Sequence, residues 1–143
     1  MLQSRLVLVV EDDIDVAEHT CAVLRMANYL PTLAGSLTEA SMLTDMNFGA
    51  IFLDLLLPET DHHTLTKSVI SMRMHYPHAV LIVLSAYLPE LDVIQLLKLG
   101  ADFCLHKPLT IKNVNSVILA AQELNNGQVR RIRERLDEAI AYG

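Results

Sequence analysis

The chain has 143 residues, of which 52% are hydrophobic and 20% charged, and its formal net charge is −6. This length predicts one domain with an ample core and excludes a two-domain enzyme. The negative charge is the wrong sign for a surface that binds nucleic acid or anionic lipid throughout. The cysteines, Cys21 and Cys104, lie in apolar stretches, so we expect no disulfide framework, no Cys-based zinc site and a cytoplasmic location.

Five apolar runs alternate along the chain with segments of helical spacing. The strand candidates, in order, are Leu6–Val10, Tyr29–Ala34, Ala50–Leu53, Val80–Leu84 and Phe103–His106. Short runs of this kind are typical of strands that are buried on both faces. The helix candidates that follow them are marked by the stripe Ala17, Cys21 and Leu24, the capping box Ser36–Glu39, His62–His75, the segment between Pro89 and Gly100, and Ile111–Asn125.

This alternation predicts a (βα)5 domain over residues 1–127 with a parallel sheet covered on both faces. Pro31 cannot donate a hydrogen bond to a neighbouring strand, so the second strand is expected at an edge. Both features fit the doubly wound strand order 2-1-3-4-5. In that order a ligand site is expected beyond the carboxyl ends of the first and third strands.

Acidic side chains follow these two strands. Glu11, Asp12 and Asp13 come directly after the first strand, and Asp54 comes directly after the third. Carboxylates at close range repel one another unless a proton or a cation neutralises them. Oxygen ligands without His or Cys suit Mg²⁺. For Asp13 and for Asp15 the alternative of a helix N-cap stays open.

Ser85 and Lys107 end the fourth and fifth strands, so their side chains reach the same rim. Each residue alone is most often a cap, a turn residue or a solvated charge. A hydroxyl and an ammonium beside a cation would neutralise an anion from three sides. The coincidence of four strand ends therefore predicts a phosphoryl site.

Four motifs in this order resemble the receiver (response regulator) domain of two-component signalling. They are Leu8–Asp13, Phe52–Pro58, Leu84–Ala86, and Gly100–Asp102 followed by Lys107 and Pro108. The resemblance covers about residues 4–126. It implies a flavodoxin-like three-layer sandwich and a bacterial phosphorelay protein. Such a domain is a phosphoacceptor rather than an enzyme, and its chemistry is limited to its own phosphorylation and dephosphorylation.

The resemblance also implies roles for individual residues. Asp54 would accept the phosphoryl group, in a reaction that needs Mg²⁺ or Mn²⁺. The metal would be bound by Asp12 and Asp54, by Glu11 through water, and by the backbone carbonyl of Leu56. The phosphoryl donor would be a sensor histidine kinase or a phosphotransfer protein.

Ser85 and Lys107 would bind the phosphoryl oxygens, and a cis peptide bond before Pro108 would direct Lys107 inward. Phosphorylation would bias a two-state equilibrium that the fourth helix, the fifth strand and the fifth helix report to a partner or an output domain.

Several positions depart from the family pattern. His62 stands where Gly is common, and Cys104 stands where Tyr or Phe is usual. Phe103 is one residue away from that position and should point to the opposite face, so we expect the aromatic switch to be absent or rewired. The bulky Leu56 and Tyr87 are expected to flank the site, screen water and slow the loss of the phosphoryl group.

Two segments are candidates for a homodimer interface. The fourth helix, Leu91–Leu99, is apolar almost all round, which predicts a partly exposed patch. Residues 128–143 carry an apolar stripe and an arginine cluster, which predicts a separate amphipathic helical tail. This tail would pack on the body, pack on a second copy, or lead into an output domain. We expect neither membrane association nor direct nucleic-acid contact by the domain.

Functions of other classes fit the residues less well. A flavodoxin-like electron carrier needs a phosphate-cradling loop where Glu11, Asp12 and Asp13 stand. A haloacid-dehalogenase-type phosphatase needs a second Asp where Leu56 stands, and a dinucleotide dehydrogenase needs a glycine loop. The strongest alternative is a receiver-like protein-interaction module that works without phosphorylation.

Overall fold

The computed structural model of the chain describes residues 4–54, 62–86 and 90–125. Strands and helices alternate throughout these ranges. In chain order they are β1 (Leu6–Val10), α1 (Ile14–Met26), β2 (Leu30–Ala34), α2 (Leu37–Ser41), β3 (Ala50–Asp54), α3 (His62–His75), β4 (Val80–Ser85), α4 (Glu90–Leu99), β5 (Phe103–His106) and α5 (Ile111–Asn125). The ten elements match the predicted alternation of strands and helices.

The five strands form one parallel sheet in the order β2-β1-β3-β4-β5. This confirms the predicted fold class and strand order. Pro31 lies in the edge strand β2, where it is aligned with Val7 of β1. The missing N–H of a proline is tolerated at an edge because a ladder bond is required on one side of the strand at most.

Two apolar clusters cover the two faces of the sheet and make the three-layer sandwich. The α1/α5 cluster joins residues of β1, β3 and β4 to Cys21 and Leu24 of α1 and Val114 and Val117 of α5. The α2/α3/α4 cluster packs the opposite face, and Leu96 of α4 is buried in it. Successive side chains along a strand point to opposite faces, so each strand contributes to both clusters.

The two predicted helix starts in the first half of the chain have capping side chains. Asp13 is the N-cap of α1, and its carboxylate accepts the backbone N–H groups of Asp15 and Val16. Ser36 caps α2 and accepts the N–H of Glu39. The carboxylate of Glu39 accepts the N–H of Gly35 at 2.7 Å rather than that of Ser36, so the box closes one residue early.

We expected a partly exposed apolar patch on α4, and none of its described apolar side chains is largely exposed. Val93, Ile94, Leu97 and Leu99 are half-buried, and Leu96 is fully buried. Because α4 packs on both α3 and β5, these described side chains are partly covered.

Some expectations fall on residues outside the described ranges. These are Leu56, the loop before His62, Tyr87, and the tail from 128 to 143. Within the described part of the chain, no helix has the length and apolar character needed to span a membrane.

Candidate functional site

The alternation of side chains along the strands brings three charged groups to one point. Glu11, Asp54 and Lys107 stand at the carboxyl ends of β1, β3 and β5. Two positions before them stand Val9, Phe52 and Leu105, which pack in the α1/α5 cluster. A spacing of two residues keeps a strand side chain on the same face. The charged groups therefore converge where the sheet meets α1 and α5.

The three groups form a buried, negatively charged cluster. The Lys107 ammonium makes an ion pair with the Asp54 carboxylate, and its Nζ lies 3.7 Å from Oε2 of Glu11. The side chains of Glu11 and Asp54 are 1% and 2% exposed, and that of Lys107 is 12% exposed. Two carboxylates face one ammonium, so one negative charge stays uncompensated among these three groups.

The free oxygens of this cluster suit a divalent cation. Oε2 of Glu11 and Oδ2 of Asp54 are buried and make no hydrogen bond, while Oδ1 of Asp54 is in the ion pair with Lys107. Buried polar atoms are normally satisfied, and carboxylate oxygens are the preferred protein ligands of Mg²⁺. Two carboxylates with waters are a common way to hold this ion. The donor set at Glu11 and Asp54 therefore fits the predicted metal.

The third predicted acidic ligand does not join the other two. Asp12 is exposed, and within the described ranges no group of three His, Cys, Asp or Glu side chains is gathered as a metal site. Asp13 is occupied as the N-cap of α1, which settles its role in favour of capping. The other oxygen of Glu11, Oε1, accepts the N–H of Asp13 at 2.9 Å and so orients the Glu11 carboxylate.

Burial dominates the acidity of the central carboxyl. It raises the pKa of Asp54 above its ordinary value, and the ion pair with Lys107 lowers it by less. A buried carboxylate that one ammonium does not fully compensate gains stability from a further positive charge. The same carboxylate also keeps oxygen lone pairs available for bond formation.

Ser85 lies at the end of β4, on the other face of the sheet. It follows Val83 by two positions, and Val83 packs in the α2/α3/α4 cluster, so the Ser85 side chain shares that face. Its backbone carbonyl accepts the N–H of Lys107 at 3.0 Å. The peptide bond between Lys107 and Pro108 is cis.

Cys104 and Phe103 point to opposite faces of the sheet, as expected. Cys104 is aligned with Val83 of β4 and packs against the α2/α3/α4 cluster. Phe103 packs against the α1/α5 cluster. The described face between Ser85 and α4 therefore carries a thiol at the position where we expected the family's aromatic ring to be absent.

A groove of about 380 Å³ runs beside Lys107, between α1 and the connection from β5 to α5. His19 on α1 spans it, with Nε2 lying 3.2 Å from the carbonyl oxygen of Leu109. Ile14 at the start of α1 is 70% exposed near the same edge of the sheet. We did not predict the contact of His19, because sequence spacing does not show which loop a helix face meets.

Arg73 was also missed. Its guanidinium, at the end of α3, contacts Gly100 and Asp102, which directly precede β5. This contact lies at the amino-terminal ends of the strands, opposite to the site. The motif Gly100–Asp102 suggested a helix end followed by an acid. The sequence offers 11 Lys and Arg residues as partners for that acid and no reason to choose among them.

Comparisons with known proteins agree with this geometry. The model of the response regulator receiver domain family matches residues 7–119. Response regulator SaeR of Staphylococcus aureus is 24% identical over 129 residues, which cover 87% of this chain and 55% of SaeR. The chain thus spans about half the length of the curated relatives it matches.

Solved structures of similar fold include three receiver-type proteins. The beryllofluoride-activated NtrC4 receiver domain dimer is 27% identical with a TM-score of 0.69, covering 83% of this chain and 97% of that chain; NtrC4 is from Aquifex aeolicus. A Burkholderia pseudomallei response regulator, solved with a phosphorylated aspartic acid, a calcium ion and citrate, is 25% identical with a TM-score of 0.66, covering 85% and 74%. Chemotaxis protein CheY4 of Vibrio cholerae shows the shared fold. It is 22% identical with a TM-score of 0.69, covering 82% of this chain and 98% of that chain.

The family match covers most of the chain and includes the strand ends that carry Glu11, Asp54, Ser85 and Lys107. This protein belongs to the response regulator receiver domain family of two-component signalling.

Proposed function

We propose that this receiver domain is a phosphoacceptor whose Asp54 takes a phosphoryl group from a sensor histidine kinase or a phosphotransfer protein. One observation carries the proposal. Oδ2 of Asp54 is buried without a hydrogen bond, while Oδ1 is in an ion pair with the Lys107 ammonium beside the Glu11 carboxylate. A carboxylate that has only a structural role is normally satisfied by backbone or side-chain donors.

In the proposed reaction an oxygen of Asp54 forms a bond to phosphorus while the bond from phosphorus to the donor breaks. Lys107 lies against the attacking carboxylate and is placed to hold a phosphoryl oxygen as charge redistributes. The site excludes much of the solvent because its carboxylates are almost fully buried. Positioning and charge neutralisation supply most of the catalysis in phosphoryl transfer.

A divalent cation, Mg²⁺ or Mn²⁺, supplies charge neutralisation at the phosphoryl oxygens when it is bound. Asp54 and the Leu56 carbonyl would hold it directly, Glu11 would hold it through water, and the exposed Asp12 would turn toward it as the further direct ligand. The B. pseudomallei relative, whose structure contains a phosphorylated aspartic acid and a calcium ion, supports this assignment. The uncompensated negative charge of the Glu11–Asp54–Lys107 cluster supports it independently.

We propose that the phosphodonor approaches Asp54 over the groove beside Lys107. It opens between α1 and the β5–α5 connection, next to the ammonium. A donor domain seated over it would bring its phosphohistidine toward Asp54 from the side of Ile14 and Pro108. We assign this reaction to the cytoplasm, where free thiols such as Cys21 and Cys104 stay reduced.

The proposed output is a shift of the α4–β5–α5 surface. Ser85 lies on the face that α4 covers and would hydrogen-bond a phosphoryl oxygen on Asp54. This bond would favour the active member of two pre-existing conformations. The dimer formed by the beryllofluoride-activated NtrC4 relative supports a second copy of this chain as one partner of that surface. Two exposed apolar side chains of α5, Ile111 and Leu119, are available for this contact.

The test is covalent labelling by a small phosphodonor. After incubation with acetyl phosphate and Mg²⁺, we expect an adduct of about 80 Da, the mass of one phosphoryl group on an aspartate nucleophile. Mass spectrometry should find it in the wild type and in the control Asp45→Asn, which changes an exposed acid, but not in Asp54→Asn. Chelation with EDTA should abolish it.

Labelling that persists in Asp54→Asn, or that does not depend on Mg²⁺, would contradict the phosphoacceptor assignment. The matched physical readout is thermal unfolding. Because a bound ligand stabilises the folded state, Mg²⁺ should raise the Tm of the wild type more than that of Asp54→Asn.

The alternative function is a receiver-like interaction module that works without phosphorylation. Cys104 favours it, since the ring that usually follows activation is replaced by a half-buried thiol. Under this alternative, wild type and Asp54→Asn should bind the same partner with equal affinity in the presence and absence of acetyl phosphate.

A further inference from the structure

We infer that Arg73 fixes the C-terminal end of α4 to the sheet, so that α4 moves about that end when the site at its other end changes state. The anchor itself does not depend on phosphorylation. The movement that it directs rests on the proposed function of Asp54. Arg73 is thus a positioning residue of the signalling step, placed at the edge of the sheet opposite to the phosphoacceptor.

One guanidinium holds several backbone carbonyls that come from two connections, the one between α3 and β4 and the one between α4 and β5. Nε and Nη2 of Arg73 donate to the carbonyl oxygen of Gly100, directly after α4, at 2.9 and 2.8 Å. Nη1 donates to the carbonyl of Ala79, directly before β4, at 2.8 Å. Nη1 also lies 3.3 Å from the carbonyls of Tyr76 and Pro77, which follow α3. The planar fork of Arg suits such a set of acceptors, whereas an ammonium does not match its geometry.

Asp102 completes the anchor by an ion pair. Its Oδ2 lies 2.7 Å from Nη2 of Arg73 and also accepts the N–H of Leu81 at 2.8 Å. The N–H of Asp102 donates to the carbonyl of Leu81 at 2.7 Å. The start of β5 is therefore tied both to the start of β4 and to the end of α3. The Asp102 side chain is 7% exposed, and charge-assisted bonds of this kind are stronger than neutral ones.

The end of α4 is shaped to receive the guanidinium. Gly100 has φ +127°, a conformation that L side chains rarely adopt. A Cβ built on Gly100 would lie 2.9 Å from Cγ of Arg73, so the side chain of Arg73 occupies the space that a larger residue would need. The next residue, Ala101, is fully buried and donates its N–H to the carbonyl of Leu96 at 3.0 Å. The last turn of α4 is thus fixed by backbone bonds and by Arg73 together.

The other end of α4 faces the proposed phosphoryl site. The helix begins at Glu90, shortly after Ser85, at the carboxyl edge of the sheet. The helix packs on β5, where Cys104 provides a thiol instead of a ring. Because the small side chain of Cys104 has no ring that could change position, we assign the response to a change at Ser85 to α4 itself. With its far end held by Arg73, the allowed movement is a swing of the first turns.

Amide hydrogen exchange on the full chain tests the anchor without any phosphodonor. In Arg73→Lys we expect exchange at Ala101 and Asp102 to accelerate about tenfold, as loss of a charged hydrogen bond worth about 1.5 kcal/mol predicts. Exchange in β1 should change much less. The matched control Arg25→Lys, on the exposed face of α1, should leave both regions unchanged. Unchanged exchange at Ala101 and Asp102, or equal acceleration in β1, would overturn the anchor.

Amide chemical shifts measured with beryllofluoride and Mg²⁺ test the swing. In the wild type the changes should be largest in the first turns of α4 and should fall toward Leu99 and Ala101. In Arg73→Lys they should extend through Ala101. Changes of equal size at both ends of α4 in the wild type would refute the swing. If beryllofluoride does not bind at all, the phosphoacceptor proposal fails instead, and the exchange experiment still decides the anchor.

Discussion

Cys104 is a titratable residue that lies on β5 beside the layer of α2, α3 and α4. Its side chain is half-buried against the layer of α2, α3 and α4. Burial raises the pKa of its thiol from 9.0 to about 11. The thiol is therefore protonated at neutral pH and behaves as a small apolar group rather than as a nucleophile.

The raised pKa of the Cys104 thiol predicts a loss of stability at alkaline pH. The folded state binds the thiol proton more tightly than the unfolded chain does. The contribution of this proton to the free energy of unfolding is therefore complete below about pH 9 and is lost as the pH rises toward about 11. The free energy of unfolding of Cys104→Ala should fall less over this range than that of the wild type, by on the order of 1 kcal/mol at about pH 10. Urea unfolding at about pH 8 and about pH 10 measures it. A difference between the two proteins that is the same at both pH values would contradict the assignment.

At the scale of elements, the capping of α1 stands apart from the chemistry beside it. Asp13 adjoins Glu11 and Asp12 in the sequence, yet its carboxylate is used by the helix. Oδ1 accepts the N–H groups of Asp15 and Val16 at 3.0 and 3.2 Å. These N–H groups belong to the first turn of α1, where backbone N–H groups have no acceptor within the helix. The three consecutive acids thus divide into a buried site residue, an exposed acid and a cap.

This division predicts the effect of two substitutions at Asp13. Asp13→Ala should lower the free energy of unfolding by about 1 kcal/mol, because it removes an N-cap. Asp13→Asn keeps an acceptor oxygen and should preserve most of the stability. Chemical unfolding in EDTA measures both without a contribution from the metal. Equal losses in the two variants would show that the charge of Asp13 matters and the cap does not.

At the scale of the whole molecule, the exposed apolar side chains indicate which surface reports the state of the site. The described apolar residues of α4 are half-buried or buried, whereas Leu119 of α5 is 61% exposed. The two strands at the edges of the sheet are β2 and β5. Pro31 protects the β2 edge from pairing with another chain, because proline lacks a donor. The β5 edge and the face of α5 therefore remain the better surface for a second copy.

We predict that activation promotes dimerisation through α5. Sedimentation equilibrium with beryllofluoride and Mg²⁺ should show tighter self-association than without them. Leu119→Lys should weaken that association about tenfold, the typical effect of removing an important apolar contact. Met42→Lys, which changes an exposed apolar residue directly after α2, is the control and should have no effect. A protein that stays monomeric at high concentration in both states would exclude this interface.

Much of the site was predictable from the sequence because it depends on strand ends. Glu11, Asp54 and Lys107 each follow a buried strand directly, and parallel strands bring their carboxyl ends to one edge. The period of two along a strand then fixes which side chains share a face. By the same rule Phe103 and Cys104 had to point to opposite faces of the sheet.

The sequence by itself determined the order of elements, the edge position of β2 and the acids that meet at the carboxyl edge. These follow from local patterns: apolar period, capping residues and proline. The tertiary structure decided that Asp13 caps α1 while Asp12 stays exposed, that α4 is partly covered by its neighbours, and that Arg73 selects Gly100 and Asp102. Such choices depend on contacts between residues far apart in the chain, and local patterns carry no information about which distant partner a side chain meets.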